Sequence, residues 1–214
     1  SGSANNFSRI GNESDNQDQF DIRIDHQFSS ADQIYGRFSY FKDIANPVTP
    51  LPEGSGNITS GVIGPTDTQA QSMVFNYVRV LRNDIVNEFR FGYTRRTIDR
   101  EATTLDNASR LPGIPPDAAF TAFDDTLPTF TVAGFQQLGS PANTASQFRT
   151  DVTQAFDALS WQHNRHSFKV GFDFRWERLD VVQPPSPTGT FAFSTLFTNS
   201  QGIPAVGTAL SSFT

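Results

Sequence analysis

The chain of 214 residues has no cysteine and a single methionine. Without thiols there is no disulfide scaffold, no thiolate metal site and no cysteine nucleophile. No apolar run reaches the roughly 18 residues of a membrane-spanning helix. That exclusion does not reach a membrane barrel, whose strands alternate so that their hydropathy averages out. The negative mean hydropathy is therefore uninformative. No basic cluster stands out and the net charge is −6. A nucleic-acid partner needs a basic patch to neutralise phosphates, so none is expected. The opening Ser1-Gly2-Ser3-Ala4-Asn5-Asn6 lacks the basic and apolar regions of a signal peptide. The closing Ala209-Leu210-Ser211-Ser212-Phe213-Thr214 lacks an amphipathic final strand. The expectation is an internal piece of a longer protein, or one whose leader has been removed. What is abundant is phenylalanine, at 21 residues. Aromatic residues favour pleated surfaces, so the bias points to sheet.

One pattern occurs three times. Phe20-Asp21-Ile22-Arg23-Ile24-Asp25-His26-Gln27-Phe28 alternates large apolar with charged residues. So do Glu88-Phe89-Arg90-Phe91-Gly92-Tyr93-Thr94-Arg95 and Phe168-Lys169-Val170-Gly171-Phe172-Asp173-Phe174-Arg175-Trp176-Glu177. Successive strand side chains point to opposite faces, so each segment has one greasy face and one charged face. A transmembrane barrel needs such strands, with lipid on one side and a wet lumen on the other.

The alternation predicts strands over 19–29, 33–43, 69–81, 85–96, 147–162 and 167–180. In the third, Met73, Phe75 and Tyr77 oppose Val74, Val78 and Val80. Either both faces are covered there or a bulge shifts the phase. Short polar turns fall at Ser30-Ala31-Asp32, Arg82-Asn83-Asp84 and His163-Asn164-Arg165-His166. Proline-rich stretches over 44–68 and 97–146 read as long loops, the second with a short strand possible over Thr129–Phe135. A weaker strand is expected near Thr188–Phe193. In an up-and-down meander all the short turns fall at one end and all the long loops at the other. The division is a polar tail over 1–18, a barrel segment over 19–195 and a loop or cut end over 196–214. The fold class is all-β: an antiparallel meander forming part of a large membrane barrel. Short turns are expected in the periplasm and long loops outside.

At this point the residues resemble a family. Asp18-Gln19-Phe20-Asp21-Ile22-Arg23-Ile24-Asp25-His26, followed by Ile34-Tyr35-Gly36-Arg37-Phe38-Ser39-Tyr40, looks like a barrel hairpin of Oar-like TonB-dependent receptors. Val86-Asn87-Glu88-Phe89-Arg90-Phe91-Gly92-Tyr93 is similar. So is Leu159-Ser160-Trp161 with His166-Ser167-Phe168-Lys169-Val170-Gly171-Phe172-Asp173-Phe174-Arg175. The resemblance runs in order over about residues 16 to 195. It implies a segment of a barrel of about 22 strands closed by a plug. It also implies that TonB–ExbB–ExbD drives the parent through a plug region absent from this chain, for uptake of an unknown ligand met by the long loops. Outer-membrane lipid is the expected surroundings and the bacterial outer membrane the expected location. No cofactor is expected. The rival is an extracellular adhesive protein or fibre subunit, self-assembling through open strand edges.

The charged face is expected to hold Asp21, Arg23, Asp25, Arg37, Glu88, Arg90, Asp173, Arg175 and Glu177, lining the lumen. The apolar face, against lipid or a core, is expected to hold Phe20, Ile22, Ile24, Phe38, Phe89, Phe91, Phe168, Phe172 and Phe174. No catalytic or metal residue is assigned. The carboxylates could be read as acid and base, but cross-strand ion pairs and water account for them. No nucleophile elbow, phosphate loop or HExxH accompanies them. His163 and His166 form an HxxH pair that reads as a polar turn rather than a zinc site. Asn12, Asp15, Asn16 and Asp18 have the spacing of calcium donors but lack the bend glycine and terminal glutamate, so they read as solvated loop. Asp124-Asp125 is equally ambiguous, and the sequon Asn57-Ile58-Thr59 has no expected role. Trp161 and Trp176 would join interfacial girdles in a barrel, or the core in a soluble sandwich.

Overall fold

The computed structural model describes residues 7–48, 64–101 and 127–194. Asp124-Asp125, the Asn57 sequon and the 196–214 end lie outside the described residues. Six long strands build one antiparallel wall. They are β1 (Ser14–Ser29), β2 (Asp32–Asn46), β3 (Thr66–Arg82), β4 (Ile85–Arg100), β6 (Ser146–His163) and β7 (His166–Val182). Two short ones, β5 (Thr129–Val132) and β8 (Thr190–Phe193), pair with each other. The wall runs in the order β1-β2-β3-β4-β6-β7, the meander expected from the sequence.

Two-residue turns at Ser30-Ala31, Asn83-Asp84 and Asn164-Arg165 join the hairpins at one end of the wall. Asn164 has φ 53°, a left-handed geometry that its short amide side chain tolerates. Bulges between Gln27 and Ser29 and between Val80 and Arg82 sit beside the first two turns. Elsewhere the register is continuous. It settles the phase of β3: no bulge interrupts Met73 to Tyr77, so the strand is apolar on both faces.

The wall strands run from 15 to 18 residues, longer than the periodicity indicated. The additions lie at the loop end, over Ser14–Asp18, Thr66–Thr68 and Thr97–Arg100. Those residues pair through their backbones without any apolar alternation. The first-tail boundary at 18 therefore moves back to Ser14. Asp15 and the pair Asn16 and Asp18 point to opposite faces of β1, so the calcium-like donors do not converge.

β8 departs further from expectation. It does not extend the wall; it pairs in parallel with β5, Thr129 opposite Thr190 through Val132 opposite Phe193. The cause is the Gln183–Pro187 link, whose prolines cannot continue the β7 ladder. The Asn143 amide bonds the Pro185 carbonyl at 2.9 Å, and the Thr129 amide bonds Gly189 at 3.2 Å. Phe130 stacks on Phe191 with centroids 5.3 Å apart.

The packed residues are concentrated in this loop unit. Pro128 and Ser146 are fully buried, and Val132, Ala145, Thr129, Ser140 and Thr144 are nearly so. The wall has no comparable core; among its apolar side chains only Ala158 is buried. Ala158 lies opposite Gly171, where an added Cβ would stand 2.7 Å from the Asp157 carbonyl oxygen. At Gly36 the same Cβ would meet nothing within 4 Å. Gly171→Ala is therefore expected to cost about 1–3 kcal/mol through overpacking, against a near-neutral Gly36→Ala. Denaturant unfolding of both variants checks the contrast.

Candidate functional site

Because directly opposed residues in an antiparallel sheet share a face, the register sorts every wall side chain. One row reads Ile24–Gly36–Phe75–Phe91–Ala155–Phe174 across the six strands. Its neighbour reads Ile22–Phe38–Met73–Tyr93–Thr153–Trp176. Phe20, Phe89, Phe168 and Phe172 belong to the same face, so all the residues expected on the apolar side lie together. The face is bare: Val170 is 73% exposed and Phe172 65%. Trp161 and Trp176 both lie on it and both are exposed, so neither belongs to a core. Trp161 is anchored at the turn end, its Nε1 donating to Asp84 at 3.1 Å, while Trp176 lies toward the loop end.

The opposite face carries the charge. Its rows read Asp21–Ser39–Ser72–Thr94–Val152–Glu177, then Arg23–Arg37–Val74–Gly92–Gln154–Arg175, then Asp25–Tyr35–Asn76–Arg90–Phe156–Asp173. All the residues expected on the polar side are here, with Glu88 one row below. A row rich in arginine thus runs between rows that carry acids. The pairs form along strands as well as across them. Arg23 grips Asp25 through Nε at 2.8 Å and lies 4.1 Å above the Tyr35 ring. Arg90 Nε donates to Glu88 at 2.8 Å, and Asn76 donates to the same carboxylate at 3.2 Å. Arg175 pairs with Glu177, Ser39 donates to Asp21, and Gln154 donates to Asp173 at 3.0 Å. These groups are mostly solvent-accessible, where one ion pair stabilises by less than about 1 kcal/mol. Their combined effect is a wetted surface of alternating sign.

Two features on the apolar face escaped the sequence reading. Asp157 shares the phase of Trp161 and Leu159, and lies between Phe89 and Phe172 in register. Asn87 donates to it at 2.7 Å. The second lies one row above Tyr93 and Trp176, toward the loops. There Arg95, Asp151 and Arg178 are neighbours in register. Arg95 Nε reaches Asp151 at 2.6 Å, Arg149 Nε at 3.3 Å, and the Tyr93 hydroxyl donates to it at 2.8 Å. Periodicity did not reveal either feature, because β6 sets Phe148, Val152 and Phe156 on the charged side, and only the register places Asp151 and Asp157 on the apolar one.

Asp43 stands at the loop end of the charged face. A hydrogen bond with the Asp15 carboxyl, burial, and the charges of Asp15 and Asp67 push its pKa upward. His163 and His166 face each other across the third turn. Among the described residues no three His, Cys, Asp or Glu side chains form a group able to hold a metal.

A family model described as an outer membrane beta barrel domain matches residues 1–214. The chain belongs to that family. No curated protein and no solved structure matches it. The outer membrane beta barrel domain lies in the bacterial outer membrane, and its antiparallel meander is the architecture of that family.

Asp43 supplies a pH test on this barrel domain. Its folded pKa is raised, so it favours folding when protonated and opposes it once ionised. Asp43→Asn is therefore expected to raise thermal stability at pH 7, with the gain shrinking as pH falls to the carboxylate range. Melting curves of both proteins at pH 7 and pH 4 measure it.

Proposed function

We propose that this barrel domain is a wall section of a TonB-dependent outer-membrane receptor. In this reading the aromatic face meets lipid and the charged face lines a wet lumen. The observation that carries it is the segregation on β1, β4 and β7, where Phe20–Ile24, Phe89–Tyr93 and Phe168–Trp176 turn apolar side chains to one face and charged or small ones to the other. A large bare apolar face has no place on a soluble monomer, but in hydrocarbon it is the stable arrangement. On β7 the outward residues from Phe168 to Trp176 are all apolar or aromatic. They span about 27 Å along the strand. At a tilt of about 40° that is roughly 20 Å of height, near the ~25 Å apolar band of membrane barrels. Trp161 and Trp176 then stand at its two rims.

The short turns face the periplasm and the loops with the β5–β8 unit face outward, where an incoming ligand is first met. The lumen wall of alternating charge suits a polar cargo or a polar plug surface, held through exchangeable ion pairs and water. Energy from TonB–ExbB–ExbD enters through a plug. This finer assignment is supported by the ordered likeness of the hairpins over about residues 16 to 195. Deleting the TonB partner in the native host tests it: ligand uptake through the protein carrying this chain is expected to stop while surface binding remains. Uptake that continues without TonB would remove the assignment.

The lipid-facing assignment has its own test. Phe172→Asp is expected to impair assembly in the membrane. At midplane a basic residue costs about 2–4 kcal/mol and an acidic one less. Asp157→Leu, which removes the single carboxylate between Phe89 and Phe172, is expected to assemble at least as well as the parent. Heat-modifiable migration of membrane fractions reads both variants.

A further inference from the structure

The aromatic face holds a depression. It is a groove of about 420 Å³ over Gly36, walled by Ile22, Ile24, Phe38, Met73, Phe75 and Phe91. The missing side chain of Gly36 creates it. Phe91 at its edge leads two rows up the same face of β4, through Tyr93, to Arg95. From Phe91 to Arg95 is about 14 Å along the strand.

At that upper end two guanidinium groups share one carboxylate. Asp151 holds Arg95 and Arg149 together, and Arg149 also lies opposite Asp180, which pairs with Arg178, so three guanidinium groups share two carboxylates. Asp151 is withdrawn, its side chain 16% exposed, whereas Arg95 and Arg149 are 40% and 47% exposed. Each guanidinium keeps N–H donors beyond those given to Asp151. Arg178, next in register, bonds Asp180 at 3.0 Å through Nε and likewise has donors to spare. Pre-oriented, partly neutralised arginine pairs of this kind match phosphate oxygens.

Resting on the reading that this face meets lipid, we propose that it binds a phosphate-bearing lipid. The phosphate sits on Arg95 and Arg149, and an acyl chain lies down the Tyr93–Phe91 path into the groove over Gly36. Arg95, Arg149 and Arg178 against Asp151 and Asp180 leave one net positive charge at this point, which with the apolar depression below is complementary to the two ends of one such molecule. Neither inorganic phosphate nor a neutral lipid uses both parts.

The intact outer-membrane protein that carries this chain is titrated in detergent with dioctanoyl phosphatidic acid, dioctanoylglycerol or inorganic phosphate. Bound species are counted by native mass spectrometry. Arg149→Gln keeps the Arg95–Asp151–Tyr93 contacts and is expected to weaken phosphatidic acid binding roughly tenfold, leaving dioctanoylglycerol unaffected. Gly36→Phe fills the groove and is expected to weaken both lipids. Heat-modifiable migration confirms that each variant is folded. Unchanged phosphatidic acid affinity in folded Arg149→Gln overturns the site, as does inorganic phosphate competing as well as the lipid. Failure of the underlying reading has a separate signature: spin labels at Phe89 and Phe172 of the parent would be quenched by water-soluble rather than lipid-soluble relaxants.

Discussion

Inside hydrocarbon no water is available to satisfy a backbone amide or carbonyl, so every strand must complete its ladder with a neighbour. In this domain that requirement also decides chemistry. Side-chain orientation has a period of two, and a register slip of one residue sends every side chain to the wrong face. The pairing Ile24–Gly36–Phe75–Phe91 and the pairing Arg23–Arg37–Val74–Gly92 are therefore one fact seen from two sides. The two-residue turns hold it. Bulges are confined to positions beside the turns, where they adjust the chain's return without shifting the aromatic segments.

Once register is fixed, energetics divides along the strands. The middle of the wall has no packed interior, and in the proposed reading it relies on transfer of its aromatic face into lipid. Its charged face, made of exposed ion pairs, contributes little stability pair by pair. At the loop end the strands outrun the apolar stretch. There the outward face changes character within one row, from Tyr93 and Trp176 to Arg95, Asp151 and Arg178. Beyond it the chain does what a soluble protein does: β5, β8 and their flanks bury Pro128, Val132 and Ser146 around stacked Phe130 and Phe191.

Much of this was legible beforehand for a physical reason. Where Phe20, Ile22 and Ile24 interleave with Asp21, Arg23 and Asp25, composition and geometry share the same period. The turns were legible because small and Asx-type residues interrupt that period. The strand extensions at Ser14–Asp18 and Thr97–Arg100 were not, since backbone pairing among polar residues leaves no alternating signature. Nor was the parallel β5–β8 pair, whose strands are only four residues each and join segments far apart in sequence. Asp157 was hidden differently: its strand places Phe148, Val152 and Phe156 on the charged side, so no alternation marks which way Asp157 points. The two faces were thus readable, and the polar points set into the apolar one emerged only from register.

Since the chain has no native cysteine, single cysteines can be read without background. The most direct measurement places them at Glu88, Phe89, Arg90, Phe91, Gly92 and Tyr93 in turn, in the membrane-embedded protein. Each is exposed to a water-soluble maleimide and to a lipid-soluble one. The account predicts strict alternation, with positions 88, 90 and 92 labelled from water and 89, 91 and 93 from lipid. Uniform labelling, or alternation of the opposite phase, would contradict it.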